Sequence, residues 1–361
     1  MRNRLRLIFV AGVLATLGIS APVAAQPDTI EVDADEEWVH QWTGLRFPVR
    51  LAELERNRVT QFEDRESNIG VNYTDDANSV IVSLYVYRAG DPNVAIWFDR
   101  GLTLIGFNEM LGEVNRASQI RGTFVPSGGT SESGAYAVMP SSGQFRSTAL
   151  ALYRSGDWLI KARISARRLS VQQLRDLTLS VFSNFQELES VGNEPIYIMR
   201  QCSTSLSDQP ADPVETGEVE LSAFALEASA IAVAPIIDGL EETAPEPVRY
   251  CRVGEGNRQY AVYRPIDDPN QYLVALSDSG RQISVVPGQE LGGLLAVGND
   301  RQVYTVSTVT ALETTIHRPF AGMPTLEQAA EVAFRQSPIA RVSRPLGDEN
   351  ASIEIITGGS E

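Results

Sequence analysis

Much of this chain alternates apolar and polar positions with a period of two, the mark of half-buried strands. Residues 79–88 place Val80, Val82, Leu84 and Val86 on one face. With residues 68–73 and the polar stretch 74–78 between them, they predict a hairpin. Further strands are expected over 134–139, 147–154 and 158–166, the last two joined by Ser155-Gly156-Asp157. Leu45 to Val49 reads as an edge strand, because Pro48 has no amide to give a central ladder. Strand patterning returns after Arg249, over 259–264, 272–276, 282–286, 303–309, 312–317 and 352–356. Asp278-Ser279-Gly280 and Gly298-Asn299-Asp300 are the turns between some of these.

Three segments carry the helical period instead. Residues 92–113 open with Pro92 and align Trp97, Leu104, Ile105 and Leu111, although Gly101 and Gly106 weaken the helix. A second helix opens at Ser170 with Gln173 in capping-box spacing and buries Leu174, Leu177, Val181, Phe182, Phe185 and Leu188. A third, over 325–335, repeats that spacing with Thr325 and Gln328. The pattern predicts an α+β protein of two domains, each a mainly antiparallel sheet with one or two helices packed on it. They span residues 38–190 and 249–361, with residues 191–248 as an acidic, proline-containing linker. Between Asp208 and Pro247 that linker has ten acids, five prolines and no Lys or Arg, though 219–233 could form a helix or strand pair.

The opening Gly44-Leu45-Arg46-Phe47-Pro48, the meander followed by a helix, then residues 149–153 and 158–164 before a second helix, carry a resemblance. Residues 38–190 resemble the PsbP-like α/β/α sandwich family. That resemblance implies an exported protein that binds a ligand or assists assembly and does not catalyse.

The N-terminus bears on location. Arg2, Arg4 and Arg6 precede an apolar run from Leu7 to Ile19 and the small residues Ala21-Pro22-Val23-Ala24-Ala25. This is the layout of a secretory signal cleaved before Gln26, which predicts a periplasmic or secreted protein. Residues 26–37 then hold six acids and read as a mobile arm. The chain carries −16; without the leader's three arginines it carries −19. Such a surface repels phosphate backbones, which argues against nucleic-acid partners. No second long apolar run predicts a membrane span in the mature chain. Cys202 and Cys251, the only cysteines, are expected to form a disulfide in an oxidising compartment.

Motifs for chemistry are sparse. His40 and His317 lie far apart, no Gly-x-Ser-x-Gly elbow accompanies either, and two histidines beside a cystine do not make a zinc set. Neither a metal nor a cofactor is expected. Residues 129–134 imitate a serine elbow with the wrong glycine spacing, and 288–293 lack the ending of a phosphate loop. The acid pairs Glu36-Glu37, Asp75-Asp76, Glu241-Glu242 and Asp267-Asp268 fall outside calcium-loop spacing and suit solvated turns. Two constellations remain as binding faces. Trp38, His40 and Trp42 follow the acidic arm, where aromatics could stack on a sugar or cation or could seal a core edge. Lys161, Arg163, Arg167 and Arg168, beside Arg175, form the one basic concentration, able to dock an acidic partner or to pair within the chain. The sequence thus points to an exported envelope binding or assembly module, for a protein partner or a small ligand. The alternative is a secreted hydrolase with a scattered acidic site.

Overall fold

The computed structural model describes residues 27–75, 77, 79–183, 192, 194–214, 224–226, 228–229, 248–288, 302–347 and 350–356. The expected leader, Phe185 and Leu188, the 298–300 turn, Glu241-Glu242 and most of 219–233 and 288–293 lie outside them.

The protein is mainly β with few helices. The first half supplies β1 (Asp28–Ile30), β2 (Trp38–Val39), β3 (Arg46–Phe47), β4 (Arg50–Leu51), β5 (Leu54–Glu63), β6 (Asn68–Thr74) and β7 (Val80–Arg88). After helix α1 (Val94–Ile105) come β8 (Ile120–Phe124), β9 (Gly134–Pro140), β10 (Ser147–Ser155), β11 (Trp158–Ala166) and α2 (Val171–Ser183). These strands form an antiparallel sheet in the order β1-β5-β6-β7-β11-β10-β9-β8, with β4 beside β5; β2 and β3 make a separate ribbon. The expected hairpins β6–β7 and β10–β11 are present.

Period two decides the layering. In β10, Ala149, Ala151 and Tyr153 pack with Leu174, Val181 and Phe182 of α2, whereas Leu150 and Leu152 pack with Ile96, Trp97 and Leu102 of α1. The two helices therefore cover opposite faces of the sheet. Covering both faces is also why β10 and β11 read as nearly continuous apolar runs. α1 is shorter than its periodicity suggests: Asn93 caps its start by accepting from the amides of Ala95 and Ile96, and Gly106 ends it. Gly101 has a packing reason, since a Cβ there would stand 2.9 Å from Leu150 Cδ2. The acidic segment read as an arm contains β1, whose residues 28–30 pair with Val59–Gln61 and cover the open edge of β5.

The second half contributes β12 (Arg200–Gln201), β13 (Asp212–Pro213), β14 (Tyr250–Val253), β15 (Tyr260–Pro265), β16 (Tyr272–Leu276) and β17 (Arg281–Pro287). It continues with β18 (Val303–Val309), β19 (Glu313–Ile316), β20 (Phe320–Ala321), α3 (Leu326–Arg335), β21 (Ala340–Ser343) and β22 (Ile353–Ile355). Its sheet runs β12-β14-β15-β16-β17-β18-β19-β21-β22, with β20 linking β13 to β18. Thr325 and Gln328 complete the capping box of α3. The pair β12–β14 is parallel, and there Cys202 and Cys251 form a disulfide with Cα atoms 5.0 Å apart.

The halves share a core. One apolar cluster contains Ile96, Trp97 and Leu102 of α1 together with Ala261, Tyr263, Leu273 and Ala275 of the second sheet. Around it, buried cations of one half bond backbone carbonyls of the other. Arg100, wholly buried in α1, donates to the carbonyls of Ser277 (2.5 Å), Asn257 (2.6 Å) and Arg258 (2.8 Å). Arg88 donates to those of Ala311, Arg344 and Pro345, while Arg344 returns a bond to Ala89. Tyr263 and Arg252 both donate to the Asp99 carboxylate of α1.

Arg100→Ala would strand three carbonyls inside this shared core. It should lower stability by roughly 3 kcal/mol or more. Urea denaturation should show the midpoint falling with the slope unchanged. An unmoved midpoint would mean that the Arg100 bonds add nothing net to the docking of the halves.

Candidate functional site

The chain leaves β7 through Ala89-Gly90-Asp91-Pro92-Asn93 and enters α1 at its cap. Beside this entry lies a cleft of about 510 Å³, walled by residues 91–95, Ser133, Arg154, residues 194–197, Val248 and Arg249. That volume falls in the range of about 300–1,000 Å³ usual for small-molecule sites. Asn93 holds three of its walls together. Beyond capping α1, its Nδ2 donates to the Val248 carbonyl at 3.1 Å, and Tyr197 Oη donates to its Oδ1 at 3.5 Å. Tyr197 Oη in turn accepts the Tyr250 amide at 2.8 Å.

Four charged side chains line the cleft. Asp91 is held from both sides: Asn93 N donates to Oδ1 and Tyr250 Oη to Oδ2, each at 3.0 Å. Burial raises its carboxyl, against the Tyr250 and Asn93 bonds and the Arg154 charge, which lower it. Burial likewise raises the phenols of Tyr197 and Tyr250. Arg154, at the end of β10, spends Nε on the Gly156 carbonyl and Nη1 on Glu194 at 3.4 Å. The Arg249 guanidinium lies over the Tyr197 ring at 5.3 Å and has no carboxylate partner among the described residues. Ser133 Oγ is buried with no hydrogen-bond partner among them.

The two constellations read from the sequence lie elsewhere. Trp38 packs on Phe47, and Trp42 stands between the Arg65 guanidinium, 5.5 Å from its ring centre, and Gly347. His40 is buried, bonding Thr43 Oγ1 and the Glu66 carbonyl, while Trp42 Nε1 donates to the Arg65 carbonyl. Together they clamp a turn in which Arg65 and Glu66 both adopt positive φ, at a cost of about 1–3 kcal/mol each. Lys161 is buried, with Nζ 2.9 Å from Asp278 Oδ2 and close over the rings of Tyr85 and Tyr87. Arg163 reaches the same oxygen at 3.0 Å. The acidic group facing this pair is thus a residue of the chain's own second half. Burial lowers the Lys161 ammonium to about 8, even against the attraction of Asp278. Arg167 lies over Phe145, and Arg168 is exposed without a place in the cleft.

Other acids serve turns. Asp75 accepts from the Ser79 and Val80 amides and the Ser79 hydroxyl, and Asp268 from Asn270 N and Gln271 Nε2. No group of three or more His, Cys, Asp or Glu able to hold a metal occurs among the described residues. No described helix is long and apolar enough to cross a membrane. His317 bonds Thr308 Oγ1 and is as buried as His40. Sequence reasoning missed the cleft because Asp91, Arg154, Glu194 and Arg249 are scattered over the chain and fit no motif. A weak signal was present in Asp91-Pro92-Asn93, an acid beside the opening of a helix.

No protein-family model matches the chain, and no curated protein matches it. A solved structure from Bacteroides thetaiotaomicron VPI-5482 is 11% identical, covering 68% of this chain and 86% of that one, at a TM-score of 0.17. A likeness of that size carries no argument about fold or activity.

The histidines predict a pH dependence. Burial lowers His40, against its Glu66 bond, and His317, each to about 4 from 6.5. The unfolded chain takes up these protons near 6.5, and the folded one only near 4. Their contribution is complete above pH 6.5 and is lost as pH falls toward 4. Between pH 7 and 4.5 the wild type should lose about 1–3 kcal/mol more than His317→Asn in chemical denaturation. Parallel profiles would show that His317 titrates alike in both states.

Proposed function

We propose that the protein is an exported binding module of the cell envelope, without catalytic activity, that takes a small ligand in the cleft beside α1. The observation that carries this reading is the cleft itself, where charged and aromatic groups of both halves converge on one concavity of ligand size. Export is supported by the leader-like layout of residues 1–25 and by the Cys202–Cys251 disulfide, which suits an oxidising compartment. Helices on opposite faces of the first sheet support the PsbP-like reading of residues 38–190. The two imidazoles, buried and neutral near pH 7, offer nothing to a substrate.

A hydrolytic reading would draw on the same cleft, because Asp91 and Glu194 both line it. Both Asp91 oxygens are already engaged, and Glu194 faces Arg154, so neither carboxyl is poised as a free general base.

Native mass spectrometry on protein isolated from periplasmic extract tests the proposal. A bound small molecule should accompany the wild type and be lost from Arg154→Ala/Arg249→Ala at unchanged melting temperature. An empty wild-type cleft would overturn the reading. So would hydrolysis of chromogenic esters or glycosides that Asp91→Asn abolishes.

A further inference from the structure

The charges of the cleft define a class of ligand; this inference rests on the binding reading above and deepens it. Two guanidiniums and two carboxyls line the same cavity, so its lining balances to zero in a chain that carries −16. The guanidiniums are not used up internally. Nη2 of Arg154 has no partner among the described residues, and neither has any guanidinium N–H of Arg249, which stays in place by stacking on Tyr197. These are planar donors suited to a carboxylate. Ser133, whose buried Oγ has no partner among the described residues, belongs to the same wall. The start of α1 contributes its positive dipole end.

A simple anion is a poor match, since Asp91 and Glu194 would repel a second negative charge. A simple cation is equally poor, since Arg154 and Arg249 would repel it. A ligand with both charges a few bonds apart satisfies the two halves of the lining together. Apolar groups complete the wall: Pro92, Val94, Pro195 and Ile196 offer surface to an aliphatic or aromatic substituent. We propose that the cleft binds a zwitterion of the α-amino-acid type, a free amino acid or a very short peptide. Its carboxylate lies against Arg154 and Arg249, and its ammonium against Asp91 and Glu194.

The test is a calorimetric titration of the mature protein with L-alanyl-L-alanine and the free amino acids, followed by blocked forms of the tightest probe. N-acetylation removes the positive end and amidation the negative end at nearly constant size. Each block should weaken binding at least tenfold, about 1.4 kcal/mol. Arg249→Ala should weaken the zwitterion and the N-acetyl form alike. Asp91→Asn should weaken the zwitterion and leave the N-acetyl form unchanged. Blocked probes that bind as well as the zwitterion would overturn the proposal. If no zwitterion binds while native mass spectrometry still finds a small molecule lost on Arg154→Ala/Arg249→Ala, the ligand class fails and the binding module stands. If the cleft is also empty in that experiment, both readings fail together.

Discussion

The structure turns on one hairpin end. Residues 277–280, between β16 and β17, press into the first half and supply what its buried cations need. Asp278 is the counter-charge shared by Lys161 and Arg163, the Ser277 carbonyl accepts from Arg100, and the Gly280 carbonyl accepts from the Gly90 amide. Gly280 lies so close that a Cβ would stand 2.8 Å from the Ala89 Cα, and its φ of +79° favours glycine in any case. Without this turn the buried Lys161 would lose its carboxylate partner, a cost of several kcal/mol, and Arg100 would lose one of its three carbonyl acceptors.

From that docking the position of the cleft follows. α1 is gripped along its middle, where Arg100 and Asp99 reach the second sheet, and its first turn is left at the edge of the contact. The segment 194–197 and the start of β14 then pass in front of that first turn, tied to it through Asn93 and Tyr250. A concavity lined from both halves is what remains between elements that are locked elsewhere. Its side chains are accordingly supported by packing that has nothing to do with a ligand, the condition under which a binding geometry exists before the ligand arrives.

Most of the regular structure was legible from periodicity. β6, β7, β9, β10, β11 and the capped helix α3 stand within a residue or two of their expected ends, and α2 starts where its capping box places it. β5 was not legible, because its register shifts between Arg56 and Arg58 and again between Gln61 and Glu63, so its alternation breaks. Leu54 and Val59 are its buried apolar residues, which leaves Leu54–Glu63 reading as a polar stretch. The basic concentration at Lys161 and Arg163 was visible as composition. Its partner could not be, because Asp278 lies 117 positions from Lys161 in sequence and meets it through tertiary docking alone. The candidate site shares that character: each charged residue is ordinary in its local context and acquires a role only where the two halves meet.

The disulfide has a topological consequence. Cys202 and Cys251 are 49 positions apart, so the covalent path from the first half into the second sheet takes a shortcut past everything between them. Cutting any one peptide bond in residues 203–250 would leave two fragments still joined through sulfur. The stretch from Asp208 to Pro247 also offers no Lys or Arg to a trypsin-like protease. A chain so wired tolerates a nick in its longest acidic stretch with its halves and its cleft wall at Arg249 still on one molecule.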